Sequence, residues 1–227
     1  MLIEDIPDGV RARMRELEAI DERDRTDGTP QLKRLRQVPP EGGQLLTLLA
    51  AAAPQGDVLD IGTSAGYSAL WLILACQQRA GKLTTFELLP EKVDLARETF
   101  ASAGVAAFVD QIHGDARGHL KGYDEVGFCF LDAEKEMYQE CYELIIPNLV
   151  TGGLLVADNV IDQSVALEEF VAHVHADERV HGVVLPVGNG MLVARKLEPV
   201  LAAPHDSAAE EGPAEAETKS KRRRSKK

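Results

Sequence analysis

Residues 56–68 read GDVLDIGTSAGYS: a short aliphatic run that ends near Asp60 and passes through Gly62 and Gly66 into a helical pattern. A buried parallel strand reads as such a run, and a glycine-bounded turn into a helix is the ligand-binding junction of a doubly wound α/β sheet. The dinucleotide fingerprint G-x-G-x-x-G is absent, because position 64 is Ser. The spacing Gly62-Thr-Ser-Ala-Gly66 also spells the G-x-S-x-G nucleophile elbow, with Ser64 in the nucleophile's place. That hydrolase reading needs several strands ahead of the loop, and the segment before residue 56 has a mainly helical pattern. Close packing of two glycines is the purely structural alternative.

Working outward from this junction, strand-like and helical patterns alternate, as they do in a parallel sheet flanked by helices. Helical segments at 9–24 and 41–53 come first and form an N-terminal lid or flank. After the strand at 56–62 come a helix at 66–79, a strand at 82–88 and a helix at 91–104, whose final Gly104 suits a helix C-cap. Strands at 106–114, 125–132 and 152–158 follow, with helices at 134–147 and 163–176. The segment 181–196, HGVVLPVGNGMLVARK, predicts a closing antiparallel hairpin turned at its GNG. The expected fold is therefore α/β: a doubly wound, Rossmann-like sheet ending in an antiparallel hairpin, with helices on both faces.

Composition bounds the rest. A chain of 227 residues with 44% apolar and 27% charged residues supports one core of α/β size. Residues 1–200 are expected to form that domain. Residues 201–227, rich in Ala, Glu, Pro and Ser and then purely basic, are expected to be a disordered tail. The last nine residues, KSKRRRSKK, carry seven of the 25 Lys and Arg, which leaves 18 basic against 37 acidic residues over 1–218. So acidic a body repels polyphosphate, and any nucleic-acid contact is confined to the tail. The start, MLIEDIPDGV, has neither a basic nor an apolar signal region, and no apolar run approaches membrane-spanning length. Three cysteines, Cys76, Cys129 and Cys141, lack metal-type spacing and fit small core residues in a reducing compartment. A cytoplasmic location is expected.

Two groups of polar residues fall at strand C-terminal ends. Asp60, Glu87 and Asp115 follow the first three strands, and Glu87 stands at the offset where a carboxylate reaches ribose hydroxyls. Ala116 is placed to bracket an adenine ring with Asp115. A nucleoside ligand without a phosphate cradle, beside a rim of acids, points to S-adenosylmethionine, whose sulfonium and amino groups are cationic. The fourth and fifth strands end in FLDAEKEMY and LVADNV, which brings Asp132, Asp158 and Asn159 to one edge. Two carboxylates and an amide oxygen form a hard ligand set, suited to magnesium first and to manganese or calcium next. Capping of a turn or helix is the alternative for Asp158 and Asn159. Lys135, three residues after Asp132 and one turn into a helix, is placed to approach a metal-bound hydroxyl.

In this order the stretches VPPEGGQLL (38–46), VLDIGTSAGYSAL (58–70), FELLPEKVDLAR (86–97), GDA (114–116), FLDAEKEMY (130–138), GGLLVADNV (152–160) and VVLPVGNGMLVARK (183–196) carry a resemblance. Over roughly residues 30–197 the chain resembles the cation-dependent O-methyltransferases of the catechol and caffeoyl-CoA type and their bacterial relatives. The resemblance implies a class I methyltransferase sheet and a cofactor, S-adenosyl-L-methionine, held by Val38, Asp60, Gly62, Ser68, Glu87, Asp115 and Ala116. It implies a divalent cation on Asp132, Asp158 and Asn159, with Lys135 as general base. A small catechol-like or other vicinal-diol phenolic acceptor and a homodimer are implied as well.

The chain departs from the family's pattern at two places. Asp162 follows the Asp-Asn pair where many members have an aromatic residue, and Arg36 stands where relatives often have Met. Tyr138, Tyr142 and Tyr67 are then the nearest candidates for an aromatic clamp, while Trp71 is expected to pack within a helix. His173, His175 and His181 do not share a helix face and are expected to be a solvated helix end rather than a second metal site. Two rival functions remain: methylation of a hydroxylated tRNA base with the basic tail as tether, and a non-catalytic cofactor-binding interaction protein.

Overall fold

The computed structural model describes residues 6–198. The tail expected from residue 201 lies outside the described residues. Seven strands form one sheet: β1 (Asp57–Ile61), β2 (Leu83–Glu87), β3 (Val109–His113), β4 (Val126–Leu131), β5 (Leu149–Ala157), β6 (Val180–Leu185) and β7 (Met191–Lys196). Their spatial order is β3-β2-β1-β4-β5-β7-β6. The first five are parallel, and β7 runs antiparallel to both β5 and β6. The doubly wound sheet with its closing hairpin is the architecture expected from the sequence.

Strand order reverses direction between β1 and β4, so a crevice opens beyond their C-terminal ends. Register brings those ends level. Ile61 pairs with Leu131, and Leu131 pairs with Ala157. The ladder runs one residue further, since Asp132 N–H donates to the Ile61 carbonyl at 2.9 Å and Asp158 N–H to the Leu131 carbonyl at 3.1 Å. The first residues to leave the sheet are therefore Gly62, Asp132 and Asp158, side by side.

Among the described residues, six α-helices cover both faces: α1 (Asp8–Asp24), α2 (Pro40–Ala52), α3 (Tyr67–Gln78) and α4 (Pro90–Ser102) on one, α5 (Tyr138–Ile145) and α6 (Ser164–Ala176) on the other. Side chains alternate along β4, so Phe128 and Phe130 pack toward α1–α4 while Cys129 and Leu131 pack toward α5 and α6. The N-terminal helices are part of one layer, with Val10, Met14 and Leu17 buried, and are the flank of the two alternatives expected. All three cysteines are buried and free.

Three boundaries differ from expectation by three residues or more, the first being β5, which begins at Leu149 rather than at 152. The chain at Ala106–Phe108 is a 3-10 turn, so β3 begins only at Val109. Gly104 at φ +71° closes α4, and Val105 N–H returns to the Phe100 carbonyl at 2.9 Å. This wrap-around cap holds the next residues near the helix end and delays the strand. The helix expected from 134 begins at Tyr138, because Glu134 is extended (ψ 140°) and Lys135–Met137 form a single 3-10 turn. Among the described residues, no helix is long and apolar enough to cross a membrane.

Candidate active site

A cavity of about 470 Å³ opens at the C-terminal edge of β1, β2 and β4, and residues 31–37 border it from above. Gly62, Glu87, Asp115, Ala116, Asp132, Lys135 and Asn159 all line it. Val38, Gly62 and Ser68 line a water-sized pocket of about 20 Å³ beside it.

On the side toward β2 and β3, Gly62 lets the loop after β1 cross β4 closely. Its φ is +105°, and a Cβ there would lie 2.1 Å from the Asp132 carbonyl oxygen. The loop is clamped from β2: Glu87 Oε2 accepts the Ser64 N–H at 2.7 Å and Oε1 accepts the Leu89 N–H at 2.9 Å. Ser64 Oγ donates to the Leu35 carbonyl at 2.8 Å and accepts from Lys92 Nζ at 3.3 Å. A hydroxyl bonded to a carbonyl and an ammonium has no base to activate it, so the hydrolase reading of the elbow is set aside. Asp115 accepts the Arg117 N–H at 3.0 Å and pairs with its guanidinium at 2.6 Å. Those bonds hold its carboxyl below the usual range.

Asp60 does not line the cavity. It is fully buried, accepting from Thr85 Oγ1 at 2.7 Å and from Ser68 Oγ at 3.4 Å. Burial raises its carboxyl to about 7. The expected rim of three acids is thus, at the cavity wall, a rim of Glu87 and Asp115 with Asp60 beneath the loop. Alternation explains the placement: Leu59 and Ile61 point toward α5 and α6, so Asp60 points the other way, toward Ser68 on α3.

On the side toward β4 and β5, Lys135 Nζ shares its three N–H donors among four oxygens: Asn159 Oδ1 at 2.6 Å, Tyr138 Oη at 2.8 Å, Asp132 Oδ1 at 3.1 Å and the Ala133 carbonyl at 3.1 Å. Tyr138 Oη donates in turn to the Asp158 carbonyl at 3.2 Å. Asn159 sits at φ +65°, a left-handed conformation that Asn tolerates better than most residues. Asp158 is 1% exposed; its Oδ2 accepts from Asn189 Nδ2 at 3.3 Å, while its buried Oδ1 has no partner. Burial first, then the charge of Asp132, pushes the Asp158 carboxyl up to about 7.

These residues fit a hard divalent ion. Oxygen is the only donor type that Asp132, Asp158 and Asn159 offer, two of them already converge on a cationic ammonium, and the third has an orphaned carboxylate oxygen. Capping does not account for that orphan. A stability test follows. A carboxyl whose folded pKa is raised above its unfolded 3.8 binds its proton more tightly when folded, so stability falls as pH climbs from about 4 through about 7. Without divalent ions, the melting temperature should drop between pH 5 and pH 8. Added magnesium should raise it at pH 8, where Asp158 is charged, and hardly at pH 5.

The three tyrosines considered for a clamp are buried core residues and none lines the main cavity; Tyr67 lines only the small pocket beside it. Trp71 is buried on α3, as expected. His173 meets Glu143 at 2.6 Å rather than the other two histidines, and Arg179 already bridges Glu143 at 2.9 Å and Asp177 at 2.6 Å. Sequence reasoning missed Asn189, read only as a turn residue, and Lys92, whose Nζ binds the Arg34 carbonyl at 2.7 Å. Lys92 anchors the segment above the cavity.

The model of the O-methyltransferase family matches residues 14–197, and the chain belongs to that family. Tricin synthase 2 of Oryza sativa subsp. japonica is 32% identical over 184 residues, covering 70% of this chain and 63% of that one. The catechol O-methyltransferase of Niastella koreensis is 34% identical over 137 residues, covering 58% and 62%. This chain thus spans just under two thirds of the length of both relatives. Among solved structures, the O-methyltransferase TomG from Streptomyces achromogenes, in complex with SAM, superposes with a TM-score of 0.67 at 26% identity, covering 80% of this chain and 89% of that one. The SAH-bound methyltransferase PaMTH1 of Podospora anserina reaches 0.71 at 23% identity, covering 85% and 89%, a likeness of fold.

Proposed function

We propose that the protein transfers the methyl group of S-adenosylmethionine to a hydroxyl of a small catechol-like or other vicinal-diol phenol, and needs a divalent cation to do so. One observation carries the reading: Asp132 and Asn159 each lie within 3.1 Å of Lys135 Nζ in the cavity that Glu87 and Asp115 also line, and Asp158, the chain neighbour of Asn159, keeps an orphaned carboxylate oxygen behind the wall. The names of the rice and Niastella relatives support a phenolic acceptor, and TomG's bound SAM supports the cofactor.

In this reading Asp132, Asp158 and Asn159 hold the cation, which would lower the pKa of a chelated hydroxyl. With the cation on Asp132 and Asn159 in place of the ammonium, Lys135 as the neutral amine would take the hydroxyl proton, and Tyr138 and Ala133 hold it at the cavity wall. Glu87 and Asp115 receive the nucleoside, with Gly62 allowing the loop to approach it. Positioning the sulfonium methyl in line with the acceptor oxygen supplies much of the remaining rate. We further propose a homodimer. A methyl-transfer screen over catechols, monophenols and bulk tRNA tests the acceptor: transfer to the diols alone is expected, and labelling of tRNA without diol turnover would replace this reading.

A further inference from the structure

The segment above the cavity holds one residue in an unusual backbone state. Arg36 has φ +50°, a left-handed conformation that disfavours a long L side chain, and its neighbours fix it there. Leu35 N–H donates to buried Asp24 at 2.7 Å while its carbonyl accepts from Ser64, and Gln37 N–H donates to buried Asp21 at 3.3 Å. Pinned on both sides, Arg36 reaches across the cavity to Glu134, which directly precedes Lys135 on the metal side, at 2.7 Å. That bond uses one of the guanidinium's five N–H donors, and both side chains stay about half exposed, at 42% and 53%.

The other cations at the cavity wall are differently engaged. Lys92 binds backbone carbonyls and Ser64 Oγ, Arg34 donates to the Thr29 carbonyl, Arg25 binds Asp21 twice and Lys135 is held by four oxygens. Among the described residues that line the cavity, Arg36 is the cation held by a single exposed carboxylate. A carboxylate on the acceptor can take the place of Glu134 and gain a two-pronged contact, which guanidinium geometry favours. A bound sulfonium and divalent ion would add positive charge beside Arg36 and Lys135, which favours an anionic substituent there and disfavours an ammonium.

We propose that Arg36 selects an acceptor that carries a carboxylate as well as its vicinal hydroxyls, with Glu134 holding the guanidinium ready until that carboxylate arrives. The proposal rests on the catechol-type reading above and names the acceptor class within it. The test compares kcat/KM for catechol, 3,4-dihydroxybenzoate and dopamine in the full-length protein with magnesium and S-adenosylmethionine. The carboxylated diol should lead catechol by about tenfold, chiefly through KM, and dopamine should trail both. Arg36→Met should collapse that lead, whereas Glu134→Gln, which removes the competing carboxylate, should widen it. Equal use of catechol and the carboxylated diol, a preference for dopamine, or a lead that survives Arg36→Met would overturn the role of Arg36 and leave the methyl-transfer reading standing. No transfer to any of the three diols would overturn both.

Discussion

Replacing Asp158 by Asn should cut methyl transfer by about a hundredfold or more while making the ion-free protein more stable above pH 7. The two effects have one cause. Asp158 is buried with one carboxylate oxygen unpartnered, and its charge faces that of Asp132, so in the absence of a cation the ionised form strains the fold. Asn keeps the shape and the oxygen but removes the charge, which relieves the folded protein and weakens its hold on a divalent ion. A carboxylate serving only as a cap would show neither the gain in stability nor the loss of activity. Melting curves at pH 8 and turnover at rising magnesium read both; unchanged turnover with an unchanged melting temperature would return Asp158 to a capping role.

Lys135→Met should lower kcat by roughly 10²- to 10⁴-fold, the usual contribution of a positioned general base, and leave S-adenosylmethionine affinity near that of the parent protein. The separation is expected because Lys135 bonds only to groups on the β4 and β5 side, away from Glu87 and Asp115. Lys135→Arg should not restore the rate, since a guanidinium keeps its positive charge and cannot take up a proton. Turnover at saturating acceptor, with calorimetric titration of the cofactor, checks both halves. A kcat within a few fold of the parent would assign Lys135 to charge balance alone.

The edge that carries the candidate site was legible because it follows from two local signals. Aliphatic runs ending in Asp132 and in Asp158-Asn159 locate two strand C-terminal ends, and parallel pairing brings such ends level. Asp60 was misplaced at the rim although the signal was present: period-two alternation from Leu59 and Ile61 already turns it away from their face. The start of α5 was less accessible, because Glu134 and Lys135 are drawn out of helical geometry by Arg36 and Asn159, partners far along the chain. The segment at 31–37 was invisible for the same reason. Its course depends on Asp21, Asp24, Ser64 and Lys92, whose contacts with it span 11 to 59 residues, and nothing in its own sequence predicts them.

The most direct measurement is transfer of labelled methyl from S-adenosylmethionine to a catechol in protein stripped of metal, then with magnesium restored. Transfer should vanish with EDTA and return when magnesium exceeds the chelator. Undiminished transfer in EDTA would rule out a required cation, because Asp132, Asp158 and Asn159 would then hold nothing that the reaction needs.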